Sequence, residues 1–357
     1  MNLPVILTIS LIVLVVILIY ISNQLILLNR LDKLKTGNIN IENNTIDFDS
    51  LTLKQKIAQM FVIKGDSFSE RYTNLNVGGI YFDKANSPED YKKKISEWQL
   101  NSRVKLFVSA DLEGAWSPFS ESFGEEYVFP KFSEIKTKEE AYGVGLDHGE
   151  TLKRLGFTLN FAPVAEFYDN AYGGRVFSGK KEVIKEKLIE YIKGLQKNVL
   201  GTCKHYPGKG MIKNTHYIRD KQTITKEDLE LFEICFKSNI SSVMIGHQIV
   251  EGELNSNGKP ASVSKEVIES VPEDILVISD GLKMAGIRSF YSTKIKMYAD
   301  LINSGENLIL DWPMSPITLY KAVTDIEKKV RRGEISEEKI NKSVRKILKV
   351  KGYNIEN

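Results

Sequence analysis

The sequence lacks an excess of either charge and contains little cysteine. Its 357 residues carry 49 basic and 46 acidic side chains, for a formal net charge of +3. That near balance gives no electrostatic basis for binding nucleic acid, so we expect no nucleic-acid partner. The two cysteines, Cys203 and Cys235, show neither a CxxC pair nor zinc-site spacing, and we expect each to be a small buried residue.

Several catalytic motifs are also absent. The chain has no HExxH zinc motif, no phosphate-binding loop, no GxSxG nucleophile elbow and no Rossmann glycine fingerprint. A metal centre is a rival interpretation, because His205, His216, His247, Asp111 and Asp280 would supply enough ligands. We favour a site with no metal and no organic cofactor, since the first predicted strand offers no His-x-His pair.

Charged side chains are missing altogether from the N-terminal segment. None occurs from Asn2 to Asn29, and Leu3–Ile21 is almost wholly apolar, which is long enough to cross a bilayer as a helix. A cleaved signal peptide would show a basic start and a small-residue cleavage site, and neither is visible. We therefore expect an uncleaved, single-pass membrane anchor over 1–29, followed by a polar, Asn-rich linker over 30–49.

The side of the membrane on which the rest of the chain lies stays open. Arg30, Lys33 and Lys35 follow the apolar span, and the positive-inside rule would place the C-terminal side in the cytoplasm. Long folded domains can cross a membrane regardless of such charges, so this signal decides the orientation only weakly.

Residues 50–357 alternate short apolar runs with charge-patterned helical stretches. Thr52 and Gln55 have the spacing of a capping box at the start of the first helix. Strands that alternate with helices pair in parallel, and eight such units in roughly 300 residues predict an α/β fold, a (β/α)8 TIM-type barrel. The eight predicted strands are Phe61–Ile63, Val77–Phe82, Lys105–Asp111, Leu159–Val164, Val199–Lys204, Ser242–His247, Ile275–Asp280 and Asn307–Asp311.

Polar residues stand at the ends of these strands, which converge on the catalytic face of such a barrel. Asp280 follows an apolar strand and is a candidate nucleophile or general base, with a helix N-cap as the alternative. His216, in the loop after the fifth strand, is a candidate proton donor or else a solvated loop residue. Lys204 and His205 would bind sugar or carboxylate oxygens, or pair internally. The strand-end residues are Asp111, Glu113, Glu166, Lys204, His205, His247, Asp280 and Asp311.

Nine short motifs between about Leu51 and Asp311 resemble, in order, the N-terminal barrel domain of glycoside hydrolase family 3. The similarity is greatest to the single-domain β-N-acetylglucosaminidases (β-N-acetylhexosaminidases) of that family. The motifs are LTLKQKIAQMFVIKG, VGGIYF, DLEG, LNFAPVAEF, GGRVFSG, KHYPGKG, PASVS, ISDGLKM and INSGENLIL.

The resemblance implies a retaining β-glycosidase that removes terminal β-linked N-acetylglucosamine-type residues, with cell-wall glycans as the expected carbohydrate substrate. Asp280 corresponds to the family's nucleophile and His216 to its loop acid/base. Asn214 stands where the family has the aspartate that orients this histidine. The positions that correspond to binders of sugar hydroxyls are Asp111, Arg175, Lys204 and His205, with His247 near the same subsite.

The sequence also departs from the family pattern, and two alternatives follow. Trp116 and Phe119 replace two arginines, and Gly281 replaces the second aspartate of the nucleophile motif. One alternative is a β-glycosidase of another sugar specificity. Such enzymes usually carry a second α/β domain with the acid/base carboxylate, whereas only residues 312–357 follow the eighth predicted strand here. The other alternative is a degenerate barrel that binds a glycan without cleaving it.

Overall fold

A computed structural model describes residues 3–34, 39–114, 116–168, 173–209, 215–312 and 314–357. The helices are α1 Leu3–Asp32, α2 Leu53–Gln59, α3 Glu70–Leu75, α4 Pro88–Leu100, α5 Lys138–Leu155, α6 Lys181–Leu195, α7 Lys226–Lys237, α8 Lys265–Glu269, α9 Ala285–Arg288, α10 Lys294–Ser304, α11 Pro316–Arg331 and α12 Glu337–Val350. The strands are β1 Ile41–Glu42, β2 Thr45–Asp47, β3 Phe61–Lys64, β4 Gly79–Tyr81, β5 Phe107–Ala110, β6 Leu159–Asn160, β7 Leu200–Tyr206, β8 Lys221–Ile224, β9 Ser242–Ile245, β10 Ile249–Gly252, β11 Leu276–Ser279, β12 Ile309–Leu310 and β13 Asn354–Glu356.

Eight strands form one parallel sheet in the order β11-β9-β7-β6-β5-β4-β3-β12. The sheet closes where Ile278 of β11 pairs in parallel with Leu308, just ahead of β12. This confirms the predicted barrel, and each of the eight predicted strands overlaps one barrel strand. The carboxyl ends of all eight strands therefore meet on one face.

The helices begin where the sequence supplies caps. At α2, the Thr52 hydroxyl accepts a hydrogen bond from the Gln55 N–H, and the Gln55 side chain accepts one from the Thr52 N–H, which confirms the predicted capping box. The barrel strands show almost no polar alternation, because helices cover the outside of the barrel and side chains fill the inside. Strand periodicity is consequently a weak signal here, and the strand-end polar residues mark the site.

The long connection between β5 and α5 folds as an aromatic layer. Phe119 is buried there, edge-on to Tyr91 of α4 and to Tyr127, with ring centroids 5.8 and 5.5 Å apart. Phe119 occupies a position where the resemblance places an arginine, and its ring packs away from solvent inside this layer. The substitution therefore stabilises the connection by aromatic packing.

The two cysteines are joined, which corrects the expectation of two separate buried residues. Cys203 in β7 and Cys235 in α7 form a disulfide with an S–S distance of 2.08 Å, and both are fully buried. The helix packs on the strand and brings together two cysteines that are 32 residues apart in sequence. No short-range motif signals such a pair, because it depends on tertiary packing.

The N-terminal helix α1 stands apart from the barrel over most of its length. Its stretch Thr8–Asp32 is long and apolar enough to cross a membrane, and none of its most apolar window is buried in the domain. A signal sequence near an N-terminus can meet the same criteria of length and apolar composition. Only the end of the helix contacts the domain, where Leu31 is buried and the Arg71 guanidinium pairs with the Asp32 carboxylate at 2.6 Å.

The stretch 30–49, expected as a polar linker, contains ordered and buried elements. Strand β2 pairs with β1 and, in parallel, with β13 near the C-terminus. Ile39, Ile46 and Phe48 are buried in the core. The Phe48 ring lies between the Lys56 ammonium at 3.9 Å and the Arg345 guanidinium at 3.8 Å. The isolated apolar residues of this Asn-rich stretch attach it to the barrel.

This docking predicts how truncations behave. Deletion of residues 1–29 should leave a soluble protein with an unchanged Tm, because Leu31, Ile39, Ile46 and Phe48 are retained. Deletion of 1–49 removes all four, and each buried side chain contributes about 1.5–3 kcal/mol against a total stability of about 5–15 kcal/mol. We expect a large fall in Tm or a failure to fold, measured by thermal melting of the two purified proteins. Equal Tm values would show that 30–49 contributes nothing to the domain.

Candidate active site

A cavity opens at the carboxyl ends of the barrel strands, and we call it the strand-end cavity. Its volume is about 160 Å³. Most of the residues singled out in the sequence meet in it. Its lining consists of Tyr81, Asp111, Glu113, Trp116, Phe161, Arg175, Lys204, His205, Thr215, His216, Met244, Asp280, Met284, Leu310 and Trp312.

An ionic network forms the floor of the strand-end cavity. The Lys204 ammonium lies 2.5 Å from an Asp111 carboxylate oxygen and 2.8 Å from a Glu113 oxygen, with Lys204 and Glu113 almost fully buried. Burial alone would lower the pKa of Lys204, but the two carboxylates outweigh it and raise that pKa above its ordinary value. The lysine is therefore a permanent cation that holds both acids in place.

Arg175 completes this network from the loop that precedes α6. Its Nε and Nη2 atoms donate to the two Glu113 carboxylate oxygens at 2.6 and 2.9 Å, a bidentate pair. Glu113 is consequently saturated by two cations. Sequence reasoning placed it at a strand end but assigned it no role; the structure makes it the link between Arg175 and Lys204.

Asp280 follows β11 and faces the same cavity. One carboxylate oxygen accepts a hydrogen bond from the Gly281 N–H at 2.6 Å. Burial alone would raise the pKa of Asp280, but His205 and His247 in their protonated forms, this N–H and the Lys204 ammonium all favour the anion and bring the pKa below its ordinary value. Asp280 is thus an ionised carboxylate at neutral pH, as a nucleophile requires.

His205 borders Asp280 as a neutral imidazole. Burial lowers the pKa of His205 to about 3, although Asp280 opposes this shift. Its Nε2 lies 3.9 Å from an Asp280 oxygen, beyond hydrogen-bond distance. Its Nδ1 is buried and has no hydrogen-bond partner among the described residues. A ligand hydroxyl is a natural partner for such a ring, because an unpaired buried polar atom is unfavourable.

His247 lies behind the cavity and is absent from its lining. The fully buried ring accepts a hydrogen bond from Ser262 at Nδ1, 2.8 Å away, and donates from Nε2 to the Gly281 carbonyl at 3.3 Å. Burial lowers the pKa of His247, so that the ring is neutral. It supports the backbone that carries Asp280.

His216 lies at the rim, on the loop after β7. Its side chain is exposed and lines the cavity. Its carbonyl oxygen accepts from the Ala285 N–H at 3.1 Å, and the Thr215 carbonyl accepts from Gly286 at 2.9 Å, so α9 supports this part of the loop. Asn214, its expected partner, lies outside the described residues.

Two of the strand-end acids do not reach this cavity. Glu166 lines a separate cleft beside Lys209 and Asp228. Asp311 is held by the Lys294 ammonium at 2.8 Å and by the Tyr298 hydroxyl. Within the described part of the chain, no group of three or more histidine, cysteine, aspartate or glutamate side chains is arranged to hold a metal ion.

Aromatic residues are the part of the site that the sequence reasoning missed. Tyr81, Phe161 and Trp312 follow or end barrel strands and line the cavity. The signal that identifies them is the same as for the acids, namely a side chain at the carboxyl end of a strand. The sequence prediction applied that signal to acidic, basic and histidine residues and not to aromatic ones.

Comparisons with known proteins identify the family of the chain. Residues 52–350 match the family described as the glycosyl hydrolase family 3 N terminal domain. The β-hexosaminidase LpqI of Mycobacterium tuberculosis is 25% identical over 331 residues, which cover 85% of this chain and 84% of LpqI.

Solved structures show the same fold. A family 3 β-N-acetylglucosaminidase from Paenibacillus sp. FPU-7 superposes with a TM-score of 0.75 at 27% identity, over 85% of this chain and 62% of that one. This chain thus spans less than two thirds of that protein. A family 3 glycosyl hydrolase from Mycobacterium smegmatis gives 0.74 at 23% identity, over 85% and 98% of the two chains. The chain belongs to glycosyl hydrolase family 3 and is a glycoside hydrolase.

Proposed function

We propose that this protein hydrolyses terminal β-linked N-acetylglucosamine-type residues, taken from cell-wall glycans, with retention of configuration. The observation that carries the proposal is the meeting of Asp280 and His216 in one cavity with the ionic floor. The printed names of its relatives, a β-hexosaminidase and a β-N-acetylglucosaminidase, support the sugar class. Asp111, Arg175, Lys204 and His205 are the proposed binders of sugar hydroxyls.

The reaction has two steps. Asp280 attacks the anomeric carbon and a glycosyl–enzyme ester forms, while the bond to the leaving oxygen breaks and His216 gives that oxygen a proton. In the second step His216 takes a proton from water, the water oxygen bonds to the anomeric carbon, and the Asp280 carboxylate is released. Asn214 would accept a hydrogen bond from the imidazole and orient it.

Replacement of the nucleophile is the first test. Asp280→Ala should lower kcat by about 10³-fold or more, since the other described carboxylates of the cavity, Asp111 and Glu113, are paired with cations and cannot replace it. A 2-fluoro glycoside inactivator should label Asp280, as identified by peptide mass spectrometry. Glu166→Gln is the matched control: it removes a strand-end carboxylate outside the cavity and should retain turnover. A label on Asp111 or Glu113 would refute the assignment.

The loop predicts a dependence on the leaving group. His216→Ala should slow hydrolysis of a β-linked disaccharide by about 10²–10⁴-fold while sparing activated aryl glycosides, which depart without a proton. Asn214→Asp should raise disaccharide turnover, because a carboxylate stabilises the imidazolium that an amide cannot. Tyr217→Ala, on the same loop and 79% exposed, is the control. Unchanged disaccharide rates in both variants would exclude His216 as the proton donor.

We also propose that α1 anchors the protein in a membrane with the barrel on an oxidising face. Disulfides persist in oxidising compartments and are rare in the cytosol, and Cys203–Cys235 joins a barrel strand to its covering helix. The basic residues after the span favour the opposite side, but a folded domain of this length can cross regardless of them. The disulfide is therefore the stronger support.

Thiol trapping tests this orientation. Protein taken from native membranes and denatured in maleimide without reductant should carry no maleimide label. The same protein reduced before labelling should carry two labels, one on each cysteine. The Cys203→Ser/Cys235→Ser double variant gives the unlabelled baseline in both conditions. Two labelled thiols in the unreduced sample would place the barrel in a reducing compartment.

A further inference from the structure

A ladder of three aromatic rings crosses the top of the barrel and ends in the strand-end cavity. The Tyr81 ring stacks on Phe161, with centroids 6.0 Å apart and planes 16° apart, and on Trp312 at 4.7 Å and 7°. Phe161 and Tyr81 are buried, whereas Trp312 is half-buried and borders the cavity. Trp312 is therefore the open end of a rigid stack.

The Trp312 indole lies next to the residue that follows the nucleophile. A Cβ atom placed on Gly281 would lie 3.6 Å from the Trp312 Cζ2 atom, which is ordinary van der Waals contact. Gly281 directly follows Asp280 in the chain. The indole thus lies close to the backbone that carries the proposed nucleophile, and a side chain longer than that of alanine at position 281 would extend toward it.

The ladder is also joined to the ionic floor. The Tyr81 hydroxyl donates to an Asp111 carboxylate oxygen at 2.7 Å, while the Lys204 ammonium contacts the other oxygen at 2.5 Å. One residue therefore fixes both the acid and the indole.

The cavity is lined by both charged and apolar side chains. A pyranose ring suits such a lining, because hydroxyl groups lie around its edge and C–H groups cover its faces. The negative face of an indole attracts such C–H groups, which carry partial positive charge. The apolar lining residues include Trp116, Met244, Met284, Leu310 and Trp312.

We propose that Trp312 is a specificity-determining residue, the platform against which the sugar at the reacting position packs one C–H face, and that Tyr81 is its positioning residue. The inference rests on the proposed function in that the ligand is a sugar with its anomeric carbon at Asp280. Gly281 makes room for this platform. A larger residue at position 281 and a smaller one at 312 should therefore both weaken sugar binding.

Fluorescence gives a direct test of contact. The chain has three tryptophans, of which Trp98 is fully buried and donates its indole N–H to the Gly65 carbonyl, and Trp116 is 58% exposed. In the full chain carrying Trp116→Phe, titration with N-acetylglucosamine should give a saturable change in emission. The same titration in Trp116→Phe/Trp312→Phe should give none. No saturable change in the first variant with N-acetylglucosamine, glucose or xylose, or a persistent change in the second, overturns the proposal.

Steady-state kinetics test whether Trp312 contributes to sugar binding. Trp312→Leu should lower kcat/KM by about 10- to 100-fold, mostly through KM, whereas Trp312→Phe keeps an aromatic face and should lose less. Gly281→Leu should lose more than Gly281→Ala, because only the longer side chain displaces the indole. Thermal melting of each variant separates these effects from unfolding. Equal KM values for Trp312→Leu and the unchanged protein would overturn the platform.

The two proposals can fail separately. If glucose, and not N-acetylglucosamine, gives the Trp312-dependent emission change, the sugar class of the proposed function is wrong and the platform stands. If N-acetylglucosaminides are hydrolysed at an undiminished rate by Trp312→Leu, the proposed function stands and the platform is wrong.

Discussion

The buried ammonium of Lys204 is the constraint on which the site depends. An ionised lysine that is 2% exposed is stable only if opposite charges surround it, since desolvation costs several kcal/mol per ion. Asp111 and Glu113 supply those charges, and Glu113 in turn requires the bidentate contact from Arg175. Strands β5 and β7 and the Arg175 loop must therefore meet at one point, which fixes the cavity floor before any ligand binds.

The position of Trp312 depends on the same ionic network. Tyr81 contacts Asp111 through its hydroxyl and Trp312 through its ring, so a shift of the floor would also shift Trp312. The rim of the cavity, where His216 lies, is held in a different way. His216 is exposed, and its backbone is held by hydrogen bonds to α9. A rigid floor with a solvent-facing rim suits a reaction in which a sugar is gripped deeply and a leaving group departs outward.

The alternation of short apolar runs with helical stretches predicted the barrel, and the polar residues at strand ends predicted the convergence of Asp111, Lys204, His205 and Asp280, because parallel strands bring their carboxyl ends together. Other features required tertiary contacts. Glu166 and Asp311 also end strands, but a strand end does not reveal which way the chain turns next. The Cys203–Cys235 bond and the docking of Phe48 between Lys56 and Arg345 join residues far apart in sequence. The stacking of Trp312 on Tyr81 is of the same kind.

The balance of charge among the described lining residues of the cavity supports Asp280 as the proposed nucleophile. Lys204 and Arg175 provide two positive charges, and both are committed to Asp111 and Glu113. Burial keeps the neighbouring His205 neutral, so among these described residues one negative charge has no paired cation, and it lies on Asp280. A carboxylate paired with a lysine would have its electron pair stabilised and its nucleophilicity reduced. Because the transition state of glycoside hydrolysis carries positive charge at the anomeric carbon, the uncompensated anion lies where that charge develops.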